Sequence, residues 1–268
     1  MHRYFALLAA ALFLLAACSP AGERTPTGGQ AGPPARQEEA GEEPVYPPGV
    51  PVLMYHKIGD EPNNDAVISR EKFLEQMAYL YQNRYHPISL EELYAYLTRG
   101  EKLPPRPVVI TFDDGYRDTY EVALPVLKQY GFKSVLFIPG MQVGKRLSRE
   151  ELLEMKAAGM EIAAHGFYHR SLGVLSPREQ EEEIRKSKEI LDQTLGQDTR
   201  FFCYPNGSYN QETLRILRET GFVMAFTMEP GWAKPGDNLL ALKRIWMGNR
   251  IDLTRLQQRL AREDYPRT

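Results

Sequence analysis

Two adjacent carboxylates, Asp113 and Asp114, close the run Val108-Val109-Ile110-Thr111-Phe112 and are followed by Gly115. Acids at the end of an apolar run are costly to bury without compensation, and a hard cation is the simplest partner. Consecutive strand residues face opposite sides. Both acids therefore reach one site only if the chain turns at once, as Gly115 permits. A competing reading makes one aspartate the cap of a helix beginning near Asp118 and leaves the other solvated. Further along, His165-Gly166-Phe167-Tyr168-His169 carries two imidazoles four residues apart. A helical turn there would put both on one face, where they could share a metal; otherwise they are two polar loop residues. Histidine is scarce, five in the chain, yet two fall in this pentapeptide. Two imidazoles and a carboxylate leave coordination positions open for water and substrate, as a catalytic metal site requires.

Residues so spaced need elements to bring them together. From Pro51 onward short apolar runs alternate with amphipathic segments. Strands are expected at Val52–His56, Val108–Phe112, Ser134–Ile138, Glu161–Ala164, Phe201–Tyr204, Val223–Thr227 and Leu242–Met247. Between them, Phe73, Met77, Leu80 and Tyr81 form one helical stripe. Capping boxes open three further helices, Ser89 with Glu92, Ser148 with Glu151 and Ser176 with Glu179, the last reinforced by Pro177 at the first helical position. Gly131, Gly159 and Gly221 stand where helices should stop. Strand–helix alternation over about seven units argues for a parallel sheet with helices outside, either doubly wound or a barrel short of eight units. In both, catalytic groups belong at the C-terminal ends of strands, which is where the two motifs lie.

Thr111-Phe112-Asp113-Asp114-Gly115 followed by His165-x-x-x-His169 resembles the polysaccharide deacetylase family, the NodB-homology domain or carbohydrate esterase family 4. The resemblance runs from about Pro51 to Met247. It implies an α/β fold, a distorted (β/α) barrel with about seven parallel strands. It also implies that Asp114, His165 and His169 bind one divalent metal, with zinc foremost and nickel, cobalt or iron also admitted by such ligands. Asp113 would be the general base that takes a proton from the attacking water. A third family motif, normally Arg-x-Pro-Tyr-Gly, is matched by Cys203-Tyr204-Pro205-Asn206-Gly207. By that match Asn206 offers a backbone N–H to the oxyanion, with Tyr204 alongside. The motif arginine is replaced by Cys203, and Arg244 is the candidate substitute as partner of the base; its alternative is a solvated strand-edge arginine. The family's late histidine is missing, for none follows His169. Val52-Leu53-Met54-Tyr55-His56 resembles the start of the branch that acts on poly-β-1,6-N-acetylglucosamine, and this implies that His56 serves as the general acid. His86 is read as structural, and Cys203 as a buried inert thiol. Tyr55, Tyr116, Tyr204 and Trp232 are candidate sugar-stacking rings, each with ordinary packing as its alternative.

Arg3 followed by the apolar run Phe5–Ala17 is too short to span a bilayer comfortably. Leu15-Ala16-Ala17-Cys18 resembles a bacterial lipobox. Residues 1–17 are thus expected to be a lipoprotein signal peptide, with Cys18 lipidated on export. Ser19 in place of an aspartate points to the outer membrane in a two-membrane cell. Residues 18–50, rich in Pro, Gly and Glu, lack the apolar surface to offset chain entropy and are read as a tether. Residues 51–268 are expected to form the catalytic domain. A net charge of −2 gives no basic stripe for nucleic acid, and a monomer acting on a neutral glycan is expected. Within the same fold, peptidoglycan or O-acetylated xylan are alternative substrates. A non-catalytic glycan-binding lipoprotein is the alternative from another class.

Overall fold

The computed structural model describes residues 49–265. The expected signal peptide, the lipobox-like run with Cys18 and most of the expected tether lie outside the described residues. Val50, the last residue of the expected tether, is buried and pairs antiparallel with Ala233.

Ten strands and seven α-helices follow in order: β1 (Val52–Tyr55), β2 (Lys57–Ile58), β3 (Val67–Ile68), α1 (Arg70–Gln82), β4 (His86–Pro87), α2 (Leu90–Arg99), β5 (Pro107–Asp113), α3 (Leu124–Tyr130), β6 (Ser134–Ile138), α4 (Arg149–Ala157), β7 (Met160–Ala164), α5 (Pro177–Leu195), β8 (Phe201–Cys203), α6 (Gln211–Thr220), β9 (Met224–Pro230), β10 (Leu242–Trp246) and α7 (Leu253–Ala261). The main sheet has the order β1-β10-β9-β8-β7-β6-β5-β4, and β1 also pairs with β5. That last pairing, Val52 to Tyr55 against Val109 to Phe112, is parallel and closes a barrel of seven parallel strands. The barrel reading of the alternation holds, and the doubly wound sheet does not. β4 extends β5 outside the ring.

Period-two alternation sorts the strand residues into two cores. On β5, Val108, Ile110 and Phe112 belong to the large cluster packed under the helices, while Val109 belongs to a separate inner cluster with Val52, Val135, Phe137, Ala163, Phe201, Met224, Phe226 and Leu242. Leu90 and Leu93 of α2 join the inner cluster, so α2 closes the N-terminal mouth of the barrel. Parity then aims Thr111 and Asp113 inward at the opposite mouth. Ser89 with Glu92 and Ser148 with Glu151 form reciprocal capping boxes. At the third, Glu179 accepts from both the amide and the hydroxyl of Ser176. α3 and α6 stop at Gly131 and Gly221.

Candidate active site

Both motifs emerge at the C-terminal mouth. β5 runs one residue further than its apolar stretch, so Asp113 is its last residue and is buried. The chain reverses at Asp114 itself, with φ 72°, one residue before the expected turn at Gly115. Aspartate tolerates this left-handed conformation better than most residues. Gly115 follows with φ 64°, and a Cβ there would sit 2.7 Å from Ile138 Cγ1. The reversal lets the two neighbouring acids serve one site. Neither caps the downstream helix, and Asp118 instead accepts the amide of Ile58 at 2.8 Å.

Asp113 lies inside the barrel against Arg244 of β10. Nη1 donates to Oδ1 at 2.8 Å and Nη2 to Oδ2 at 2.7 Å. The guanidinium also reaches Thr111 Oγ1, the Thr227 carbonyl and Cys203 Sγ, and lies over the Phe137 ring. Arg244 is wholly buried, not a solvated strand-edge residue. Burial raises the proton affinity of Asp113, but the charge and hydrogen bonds of Arg244 outweigh it and hold the carboxyl below its usual range. Cys203 is buried beside them, and burial pushes its thiol far up. A thiol so buried is a poor nucleophile.

Asp114 faces the two histidines. Its Oδ1 lies 3.4 Å from His165 Nε2 and 2.9 Å from His169 Nε2, yet this buried oxygen has no hydrogen-bond donor. His165 Nδ1 is 2.8 Å from the Cys203 carbonyl. A carbonyl only accepts, so Nδ1 carries the proton and the Nε2 lone pair points toward Asp114 Oδ1. Two acceptors facing each other in a buried site call for a cation between them. The donor set fits a divalent ion: one atom each from Asp114, His165 and His169 gathers within 4.8 Å. A second group, Asp113, His165 and Cys203, also lies within that distance, but Arg244 holds both oxygens of Asp113 and donates to the Cys203 sulfur as well.

The His165–His169 segment is not helical, contrary to the expected turn. Gly166 and His169 both have positive φ, 68° and 62°, and the imidazoles converge because the loop doubles back. Glu183 of α5, which the motifs did not indicate, holds that loop. It accepts the amides of Phe167 and Tyr168, each at 2.8 Å, and Arg170 Nε at 2.7 Å. A charged residue in the buried stripe Gln180, Glu183, Ile184, Ser187, Leu191 was the available signal, since a stripe position demands a partner.

His56 stands at the end of β1 with Nε2 3.8 Å from Asp113 Oδ2 and its ring 4.9 Å from Trp246. Burial lowers its proton affinity, more than the two nearby aspartates restore it. Asn206 is exposed on the turn after β8, with φ 56° and its side-chain amide donating to Ser171. Three of the candidate sugar-stacking rings take the packing alternative. Tyr204 is buried, bonded through its hydroxyl to the Leu240 carbonyl and stacked on Tyr209. Tyr55 and Trp232 are buried as well, bonded to Gln76 and the Arg259 carbonyl. Tyr116 stays half-buried under Arg146. His86 lies by the opposite mouth, near the Pro105 carbonyl.

A family model described as polysaccharide deacetylase matches residues 100–225. The putative polysaccharide deacetylase YxkH of Bacillus subtilis is 37% identical over 201 residues, covering 74% of this chain and 71% of that protein. The chain belongs to the polysaccharide deacetylase family. It is a hydrolase of that family. The solved deacetylase PplD of Streptococcus pyogenes, in complex with acetate, superposes with a TM-score of 0.76 at 32% identity, covering 80% of this chain and 99% of that one. A poly-β-1,6-N-acetyl-D-glucosamine N-deacetylase of Staphylococcus aureus is 27% identical over 194 residues, covering 66% of this chain and 67% of that protein.

Proposed function

We propose that this chain removes acetyl groups from the N-acetylglucosamine units of an extracellular poly-β-1,6-N-acetylglucosamine-like polysaccharide, using one divalent cation, zinc foremost, held by Asp114, His165 and His169. The observation that carries this is the buried, donorless Asp114 Oδ1 facing two imidazoles, beside a second carboxylate fixed by Arg244. When bound, the cation would polarise the acetyl carbonyl and make water more acidic. Asp113 takes the proton of the attacking water. Arg244 occupies one lone pair on each of its oxygens, and a carboxylate has others to accept with. His56, with Nε2 3.8 Å from Asp113 Oδ2, serves as the general acid that protonates the departing amine. Asn206 offers its backbone N–H to the carbonyl oxygen as negative charge gathers there.

The substrate class rests on the named activity of the S. aureus relative, and the acetate in the PplD complex is the product such a reaction would release. Cleavage before Cys18 and its lipidation would hold the enzyme at the envelope beside the polymer. Metabolic labelling with a fatty acid tests this: label should enter the wild-type chain and be absent from Cys18→Ser. Persistent label would remove the anchor from that residue.

The catalytic test incubates the zinc-loaded chain with β-1,6-linked N-acetylglucosamine oligomers, chitin oligomers and acetylated xylan oligomers. Free amine and acetate should appear together from the first of these. Asp113→Asn should lower turnover by about 10²–10⁴-fold while oligomer binding persists. Acetate without amine would make the chain an ester hydrolase, and binding without release by wild type would make it a glycan-binding protein.

A further inference from the structure

We infer that Glu183 is a positioning residue of the metal centre, a buried carboxylate that holds the loop between the two histidine ligands in the shape that brings both to Asp114. The inference rests on the metal-centre reading above.

The loop from His165 to Arg170 belongs to no helix or strand; the His165 amide still donates to the Ile138 carbonyl of β6, but no strand partner takes the amides of Phe167 and Tyr168. Buried backbone N–H groups must nonetheless find acceptors. Glu183 supplies them from α5. Oε2 takes the consecutive amides of Phe167 and Tyr168, and Oε1 takes the guanidinium of Arg170, the residue after His169. Its three donors thus fall between the ligands and directly after the second. The side chain of Glu183 is fully buried, so its oxygens have no water to fall back on.

The same carboxylate is also a wall. A Cβ at Gly166 would lie 3.0 Å from Glu183 Oε2 and 3.2 Å from Pro205 Cγ. Glycine is therefore needed where the loop first reverses, with φ 68°. The second reversal falls on His169 itself, at φ 62°. A histidine holds that conformation only when its surroundings impose it, and the two flanking attachments to Glu183 do so. An uncharged amide in place of the carboxylate would turn its own N–H₂ toward one of these donors. Arg170 balances the negative charge, and the three bonds engage both oxygens, which keeps Glu183 from competing as a ligand.

The experiment uses the full chain stripped of metal. Zinc affinity is measured by calorimetry, and cobalt is added separately to read its ligand-field absorption. Glu183→Gln should bind zinc about 10- to 100-fold more weakly, the usual effect of losing a group that orients a ligand, and its cobalt spectrum should shift. Glu183→Asp, one methylene shorter, should show the same two changes in smaller measure and carries the test should the Gln variant not fold. Ser187→Ala, on the same buried face of α5 and bonded only to the Ile184 carbonyl, should match wild type. Folded Glu183 variants with wild-type zinc affinity and cobalt spectrum would overturn the inference. So would a Ser187→Ala loss as large as theirs, which would mark a general effect of α5. A wild-type chain that binds no zinc would instead overturn the metal centre itself, and the inference with it.

Discussion

Arg244 and Asp113 lie 131 positions apart in sequence and meet across the barrel interior. A buried ion pair seldom adds net stability, since desolvation consumes most of the attraction, but removing one partner leaves the other exposed to the full cost. Arg244→Met should therefore destabilise the fold by about 3–5 kcal/mol. It should also move the acid limb of kcat/KM to higher pH. With Arg244 present, Asp113 ionises below its ordinary value of 3.8; without it, burial alone acts, and burial raises the value. In the wild type the pair's contribution to stability is complete above that pH and fades as pH falls through the folded-state value. A pH–rate profile with an unmoved acid limb would take Asp113 out of the base role. At this scale the sequence showed which residue types could do chemistry but not what surrounds them. Asp113, Asp114, His165 and His169 stood out by type and spacing. Tyr55, Tyr204 and Trp232 are aromatic in the same way as a sugar platform, and only packing decides that they are buried beneath the helices.

Among the elements, α2 has a particular relation to the barrel mouth it closes. Its first amide, at Leu90, donates to both oxygens of Glu161 at the start of β7. Burial raises the Glu161 carboxyl to about 7, with Glu91 and Glu92 adding to the rise and Lys133 and the Leu90 amide opposing it. The folded state thus holds this proton more tightly than an unfolded chain with its ordinary value of 4.5. The stabilisation is complete below that value and is lost as pH rises through about 7. A gap of this size is worth about 3 kcal/mol. Glu161→Gln should consequently flatten the decline in denaturant midpoint between mildly acidic and mildly alkaline pH, and unfolding curves across that range check it. An unchanged slope would place the titration elsewhere. The seven barrel strands were legible because fully buried runs leave little else for an apolar segment to do, and the Ser-x-x-Glu caps because capping is local chemistry. The loop after β7 was not legible. Its two residues at positive φ depend on Glu183, fourteen positions beyond His169, and spacing alone made a helical turn look equally good.

For the whole molecule, the closed ring separates what holds the protein together from what it does. The β1–β5 pairing completes the barrel through four parallel residue pairs, and both hydrophobic clusters form without any contribution from Asp114, His165 or His169. The centre occupies loops at one mouth, so its cation should be needed for reaction and not for folding. Its contribution to stability should be the mass-action amount, about 4 kcal/mol with free zinc a thousandfold above its dissociation constant. For a domain of this size that corresponds to a fall in Tm on the order of 10 °C on stripping the metal. Calorimetry and far-ultraviolet circular dichroism of the chelated chain should show this lower but still cooperative transition and an unchanged secondary structure. Deacetylation should vanish with chelation and return with added zinc. A chelated chain that loses its circular dichroism signal at ordinary temperature would mean that the cation helps to build the barrel, and that the division between a self-sufficient core and a metal-bearing rim is wrong.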